Sequence, residues 1–170
     1  DRKNVQSFTI EKIFKAESMI AERNKTFFME FALKEAEIAY KSGEIPVGAV
    51  IIHEGKIIAS NHNRVLKLNN PVAHAEILVI KEAAHVLNNY RLKGTELYVT
   101  LEPCPMCISA MIHGRIDAVY FGATNEKCGY MTRFNMDLSI WNHKIKVFSG
   151  ILEEQSASIL KDFFIKKRLK

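Results

Sequence analysis

The stretch TLEPCPMCISAMIH, residues 100–113, places Cys104 and Cys107 three residues apart around Pro105 and Met106. Thiols at that spacing serve a redox pair, half of a closed structural metal knot, or half of a hydrolytic metal site. A thioredoxin-like pair belongs behind an early strand, whereas these cysteines lie past the middle of the chain. A closed zinc site needs four protein ligands, and beyond this pair the chain offers one more thiol, Cys128, with no second C-x-x-C. A hydrolytic site needs three ligands and a place for water, and His74 completes a His-Cys-Cys set. Positions i and i+3 share a helix face, so Cys104 and Cys107 can converge at the start of one helix, whose N-terminus favours thiolates.

Two residues after His74 stands Glu76. Residues i and i+2 do not share a helix flank, so both side chains serve one site only if that site lies off the helix end. Two helix N-termini facing one ion satisfy this. Glu76 is then placed to take a proton from an activated water and pass it to a leaving amine. Taken alone, HAE reads more simply as a helix start with a solvated glutamate. Its partnership with P-C-x-x-C changes the balance.

The elements that must position these residues are those of one α/β domain. The 170 residues are 48% hydrophobic and 25% charged, with a formal net charge of +5, which suits a single globular core. The basic residues Lys161, Lys166, Lys167, Arg168 and Lys170 crowd the C-terminal end and suit a polyanionic partner. No apolar run reaches the ~20 residues of a membrane span. The absence of a secretory pattern and the odd cysteine count predict a reducing cytoplasm. Residues 1–24 read as an N-terminal extension, with an amphipathic turn or two in FTIEKIFKAESMI, and residues 25–170 as the domain. Helical spacing of Phe28, Phe31, Ala32, Ala36 and Ala39 predicts a helix ending at Gly43. PVGAVIIH and KIIASNHN predict a hairpin, VAHAEILVIKEAAHVL a helix and TELYVTL a strand. PMCISAMIH predicts a helix opened by Pro105, IDAVYFGA and IKVFSGI two further strands, and EEQSASILKDFFIKKRL a closing helix. The expected fold is a three-layer α/β/α sandwich with a mixed sheet of about five strands.

H-x-E followed by P-C-x-x-C is the signature of zinc-dependent base deaminases. Together with GEIPVGAVII, NHNR, AHAEILVI, NYRLKGTELYVTLEPCPMCISAMIHGRI, VYFGA, GIL and DFFIKKR, in that order, the chain resembles the bacterial tRNA-specific adenosine deaminases from about Phe27 to Arg168. The resemblance implies a cytidine deaminase-like fold and hydrolytic conversion of the wobble adenosine of a tRNA anticodon to inosine. It implies one Zn²⁺ per chain on His74, Cys104 and Cys107, with Glu76 as general acid/base and activated water attacking C6 of a flipped-out adenine. By the same resemblance Asn63, Val47, Ala75 and Pro103 contact the substrate, and the protein is a cytoplasmic homodimer that binds the anticodon stem-loop. Phe163 and Phe164 point about 100° apart on a helix, so one can face the core while Phe164 stacks on a splayed base; Lys167 and Arg168 meet phosphates.

Two residues depart from the family pattern. Asn125 stands where many relatives carry an acidic residue, and Tyr130 where a small one is expected. In the family this loop approaches the RNA, so a lost carboxylate is expected to relax repulsion toward phosphate and broaden substrate choice. Glu102 reads as a brace of its loop and Cys128 as a spare thiol. Two rival functions remain. One is a guanine or cytosine deaminase of the same fold, which has no need of a basic Phe-bearing tail. The other is a non-catalytic RNA-binding subunit, which has no need of Glu76.

Overall fold

The segments 48–52, 97–100 and 118–123 are buried at every position rather than at alternate ones, the pattern of strands covered on both faces. In the computed structural model, which describes residues 23–169, these segments form the middle of the sheet. Strands β1 (Gly48–His53), β2 (Lys56–His62), β3 (Thr95–Leu101), β4 (Ala118–Ala123) and β5 (Lys146–Phe148) lie in the order β2-β1-β3-β4-β5. β1 is antiparallel to both β2 and β3, while β3, β4 and β5 run parallel. The sheet is therefore mixed and five-stranded, as expected. The predicted amphipathic turns at residues 8–20 lie outside the described residues.

Four helices cover the two faces. Helix α1 is helical from the first described residue through residue 41. It is followed by α2 (Ala75–Val86), α3 (Pro105–His113) and α4 (Glu153–Arg168). On one face Ala49, Ile51, Leu97, Val99, Val119 and Phe121 meet Val79 and Ala83 of α2 and Ile108 and Met111 of α3. On the other, Val50, Ile52, Tyr98 and Tyr120 meet Met29 and Ala32 of α1. α4 joins α1 on that side through the edge-on pair Tyr40–Phe163. The same face carries a ladder across three strands: Tyr98 stacks on Tyr120 with centroids 4.4 Å apart, and Tyr120 on Phe148 at 4.7 Å.

Some element ends differ from the sequence pattern. α2 begins at Ala75, not near Val72, because His74 is extended (ψ 152°) and serves as its N-cap. β5 keeps only three residues; Gly150 (φ 82°) and Leu152 (φ 52°) turn the chain into α4. A short 3₁₀ turn, Leu138–Ile140, capped by Asp137, was not signalled by any periodicity.

Parallel β3 and β4 end at the same edge of the sheet at which β2 ends and antiparallel β1 begins. Gly48 ties this edge to the outer layer. Its N–H donates to Thr100 Oγ1 at 3.2 Å, and a Cβ there would clash with the Ala32 carbonyl and lie 2.5 Å from Ala36 N. Both atoms belong to the α1 backbone, which cannot yield as a side chain would. Gly48→Ala is therefore expected to lower stability by about 3 kcal/mol, at the upper end of overpacking penalties, measurable as a shift in the chemical denaturation midpoint at unchanged slope.

Candidate active site

At this edge two helices begin, and each begins on a candidate ligand. His74 is the N-cap of α2 and Cys104 the N-cap of α3; both are extended, and neither side chain caps its own helix. Pro105 at the first position of α3 fixes the turn that brings Cys107 round to the same side. The three ligand atoms meet. Cys104 Sγ lies 3.7 Å and Cys107 Sγ 3.5 Å from His74 Nδ1, and the two sulfurs are 3.6 Å apart. That separation excludes a disulfide, and both thiols are free.

The donor set fits zinc. With Zn–S near 2.3 Å and Zn–N near 2.0–2.1 Å, a tetrahedron has S···S edges of roughly 3.8 Å and S···N edges of roughly 3.6 Å. The observed edges match, and among the described residues this is the one His/Cys/Asp/Glu group whose ligand atoms converge in this way. A hydrogen bond from the Cys107 thiol, outweighing burial, and the neighbouring His74 bring Cys104 down to about 4. The proton kept on Cys107 is the counterpart: donation to Cys104, burial and the charge of Glu76 all push that thiol upward. His74 is raised by its hydrogen bond to Cys104, against burial and with help from Glu76.

Glu76 occupies the second position of α2 and is 4% exposed. Burial lifts its carboxyl to about 7, against the opposing pull of its own backbone N–H and of His74. A carboxyl balanced near neutrality can both take up and release a proton.

His74, Glu76 and Cys104 open into a cavity of about 350 Å³. Val47 and Asn63 line it, with Ile45, Leu66 and Leu101 adding apolar wall and Lys167 of α4 reaching its rim. Asn63 is fixed by its backbone: its N–H donates to Val47 O at 3.0 Å and its Oδ1 accepts from Ala75 N at 3.1 Å. Because Oδ1 is committed to that N–H, the amide NH₂ is the end left for a ligand.

Of the residues singled out in the sequence, Val47, Asn63, His74, Glu76, Cys104 and Lys167 share this cavity, with Cys107 buried beneath it. Ala75 is fully buried and contributes its N–H to Asn63. Pro103 is buried and accepts a hydrogen bond from Tyr130 N at 2.9 Å. Phe163 is the core-facing member of the aromatic pair. Phe164 is half-buried, with Lys127 5.1 Å over its ring. Arg168 is exposed and donates to Phe164 O. Phe164 and Arg168 do not line the cavity.

In the loop after β4, Asn125 lines the cavity but spends its side chain locally. Its Oδ1 accepts from Cys128 N at 3.1 Å, and its Nδ2 points at Glu102 O at 3.4 Å. Tyr130 turns inward and is 2% exposed, packed in the core rather than presented to a partner. Cys128 is exposed at the cavity and stands outside the converging ligand group. Sequence reasoning missed Glu44, a buried carboxylate in the cavity wall, because nothing in the pattern GEIP marks a side chain that bonds to backbone.

The family model for MafB19-like deaminases matches residues 23–168. A tRNA-specific adenosine deaminase of Aquifex aeolicus is 48% identical over 146 residues, which span 85% of this chain and 96% of that protein. A structure solved in a study of A-to-I editing by tRNA A34 deaminases at the wobble position superposes with a TM-score of 0.75 at 45% identity. That match covers 79% of this chain and 99% of the other. A guanine deaminase of Bacillus subtilis is 41% identical, with a TM-score of 0.55, over 58% of this chain and 63% of its own.

A raised Glu76 makes the metal-free protein sensitive to pH in a definite direction. The native state holds this proton more tightly than the unfolded chain, whose carboxyl keeps its ordinary value of 4.5. The stability so contributed is complete below that value and is lost as pH rises through about 7. Glu76→Gln, measured after metal removal, is expected to be more stable than wild type above neutrality by on the order of 3 kcal/mol, the gap closing toward pH 4.5. Parallel denaturation curves across that range check it; a gap independent of pH would contradict it.

Proposed function

Because this chain belongs to the MafB19-like deaminase family, alongside the tRNA-specific adenosine deaminases, we propose that it hydrolyses the wobble adenosine of a tRNA anticodon to inosine, releasing ammonia. His74, Cys104 and Cys107 would hold one Zn²⁺ per chain. When bound there, Zn²⁺ would supply Lewis-acid activation of a water. Glu76, in its carboxylate form, accepts a proton from the attacking water and delivers it to the departing amine nitrogen. Its elevated pKa suits it to both halves of that transfer.

The adenine must leave the anticodon stack to reach Glu76. Val47 and Leu101 offer apolar walls, and the Asn63 amide NH₂ donates to an acceptor on the nucleotide. Ala75 acts through Asn63, and Pro103 holds the turn ahead of Cys104. Phe164, Lys167 and Arg168 lie on the last turns of α4 and serve the flanking nucleotides and phosphates. The working enzyme is a homodimer of the cytoplasm, where tRNA is found. Among the described residues no helix is long and apolar enough to cross a membrane.

The observation that carries the RNA reading over a free base is Lys167. It belongs to the basic end of α4 yet lines the same cavity as Glu76. A free base has no phosphate for it to meet. Purified protein is expected to form inosine in an anticodon stem-loop with adenosine at the wobble position and to leave free adenosine, guanine and cytosine unchanged. Ammonia from guanine alone would transfer the assignment to the free-base deaminases. Glu76→Ala is expected to lower the rate by roughly 10³-fold or more while metal analysis still finds one zinc per chain. Full activity in that variant would remove Glu76 from the mechanism.

A further inference from the structure

Two other carboxylates share the cavity with Glu76 and take no part in the chemistry above. Glu44 is 2% exposed and Glu102 1% exposed, and both lie in the cavity wall. Burial of an anion is expensive unless donors surround it, so each must be explained by its partners.

Glu102 ends the run from β3 toward Cys104. Its Oε1 accepts from Met131 N and Thr132 N, both at 2.9 Å. Its Oε2 accepts from Asn125 N at 2.9 Å and Thr132 Oγ1 at 2.6 Å. Four donors fill the four acceptor positions of a carboxylate, and all come from the loop over residues 125–132. That loop closes on it so tightly that a Cβ at Gly129 would lie 2.5 Å from Glu102 Cδ and Oε2.

Glu44 is rooted as firmly. Gly43 (φ 80°) ends α1, and Glu44 N donates back to Ala39 O at 3.0 Å, a left-handed helix stop. From there the carboxylate reaches the loop after β2 and accepts from Lys67 N at 2.8 Å and Leu66 N at 3.2 Å. Leu66 and Asn125, one from each loop, face the same cavity.

From this geometry we infer that Glu44 and Glu102 are a pair of positioning residues, each fixing one wall of the nucleotide cavity and together setting the fit of the substrate. Each joins a rigid element to a loop that has no ladder of its own. Neither touches the reacting atoms. Glu44 bonds to backbone N–H groups, and Glu102 to three backbone N–H groups and the Thr132 hydroxyl. An amide in place of either carboxylate turns an NH₂ toward a backbone donor and pushes the wall outward. The inference rests on the nucleotide reading of this cavity.

The test is steady-state kinetics on the wobble-adenosine stem-loop for wild type, Glu44→Gln, Glu102→Gln and Thr132→Val. Zinc content and melting temperature are read on every sample. Thr132→Val removes one donor and keeps the carboxylate, so it bears on Glu102 even if Glu102→Gln fails to fold. The expected result is a KM increase of roughly tenfold for the two amide variants and less for Thr132→Val, with kcat within about twofold and zinc retained. Unchanged KM in the folded variants would overturn the role. So would a loss of kcat that merely follows the folded, zinc-bearing fraction, since that is scaffold damage. Wild type keeps the two readings apart: its failure to form inosine overturns the substrate assignment, whereas wild-type turnover with unmoved variants overturns the positioning pair.

Discussion

Two helix starts have to meet at one point. α2 and α3 both leave the same edge of the sheet with an extended N-cap, and those caps are His74 and Cys104. The N-termini bring partial positive charge to a spot where a thiolate, a second sulfur and a carboxylate gather. Without that convergence the His-Cys-Cys triangle could not close, and Glu76 would point along α2 into solvent. The strand order makes the meeting possible. β3 lies between an antiparallel and a parallel neighbour, so the segments after β2, β3 and β4 all emerge at one edge. Crevices of this kind are where α/β sheets bind ligands.

Around that point the chain uses three buried carboxylates in two ways. Glu102 shows what saturation does: burial alone would raise it, yet the Thr132 hydroxyl and the N–H groups of Asn125, Thr132 and Met131 bring it below the ordinary range. Glu44 is likewise spent on backbone donors. Glu76 has its own N–H and the Cys107 thiol beside it, and burial prevails. With four donors Glu102 is held as a carboxylate, whereas burial lets Glu76 keep its proton up to about 7.

This division also shows where sequence reading succeeds. His74, Cys104, Cys107 and Glu76 were legible because their spacing is dictated by helix geometry and ligand count, which leave a periodic trace. The central strands were legible for a different reason, as short apolar runs buried on both faces. Glu44 and Glu102 left no such trace; their partners are backbone N–H groups of distant loops, which any residue but proline supplies. The outward assignment of Phe164 agrees with the structure, where Phe163 is the buried member and meets Tyr40. Tyr130 read as a loop residue near the substrate and proved to be an inward anchor, since the loop folds back on Pro103.

The aromatic ladder on the α1 face gives the molecule an optical signature. Tyr98 and Tyr120 lie nearly parallel, with an interplanar angle of 5°, and the lone tryptophan of the sequence, Trp141, sits elsewhere, edge-on to His113 at the end of α3. Near-ultraviolet dichroism of the stacked tyrosines therefore reports the centre of the sheet. Tryptophan emission reports the junction of α3 with the segment that follows β4. Two chromophores on opposite faces thus follow two layers of one domain during unfolding, and coincident transitions would mark the layers as a single cooperative unit.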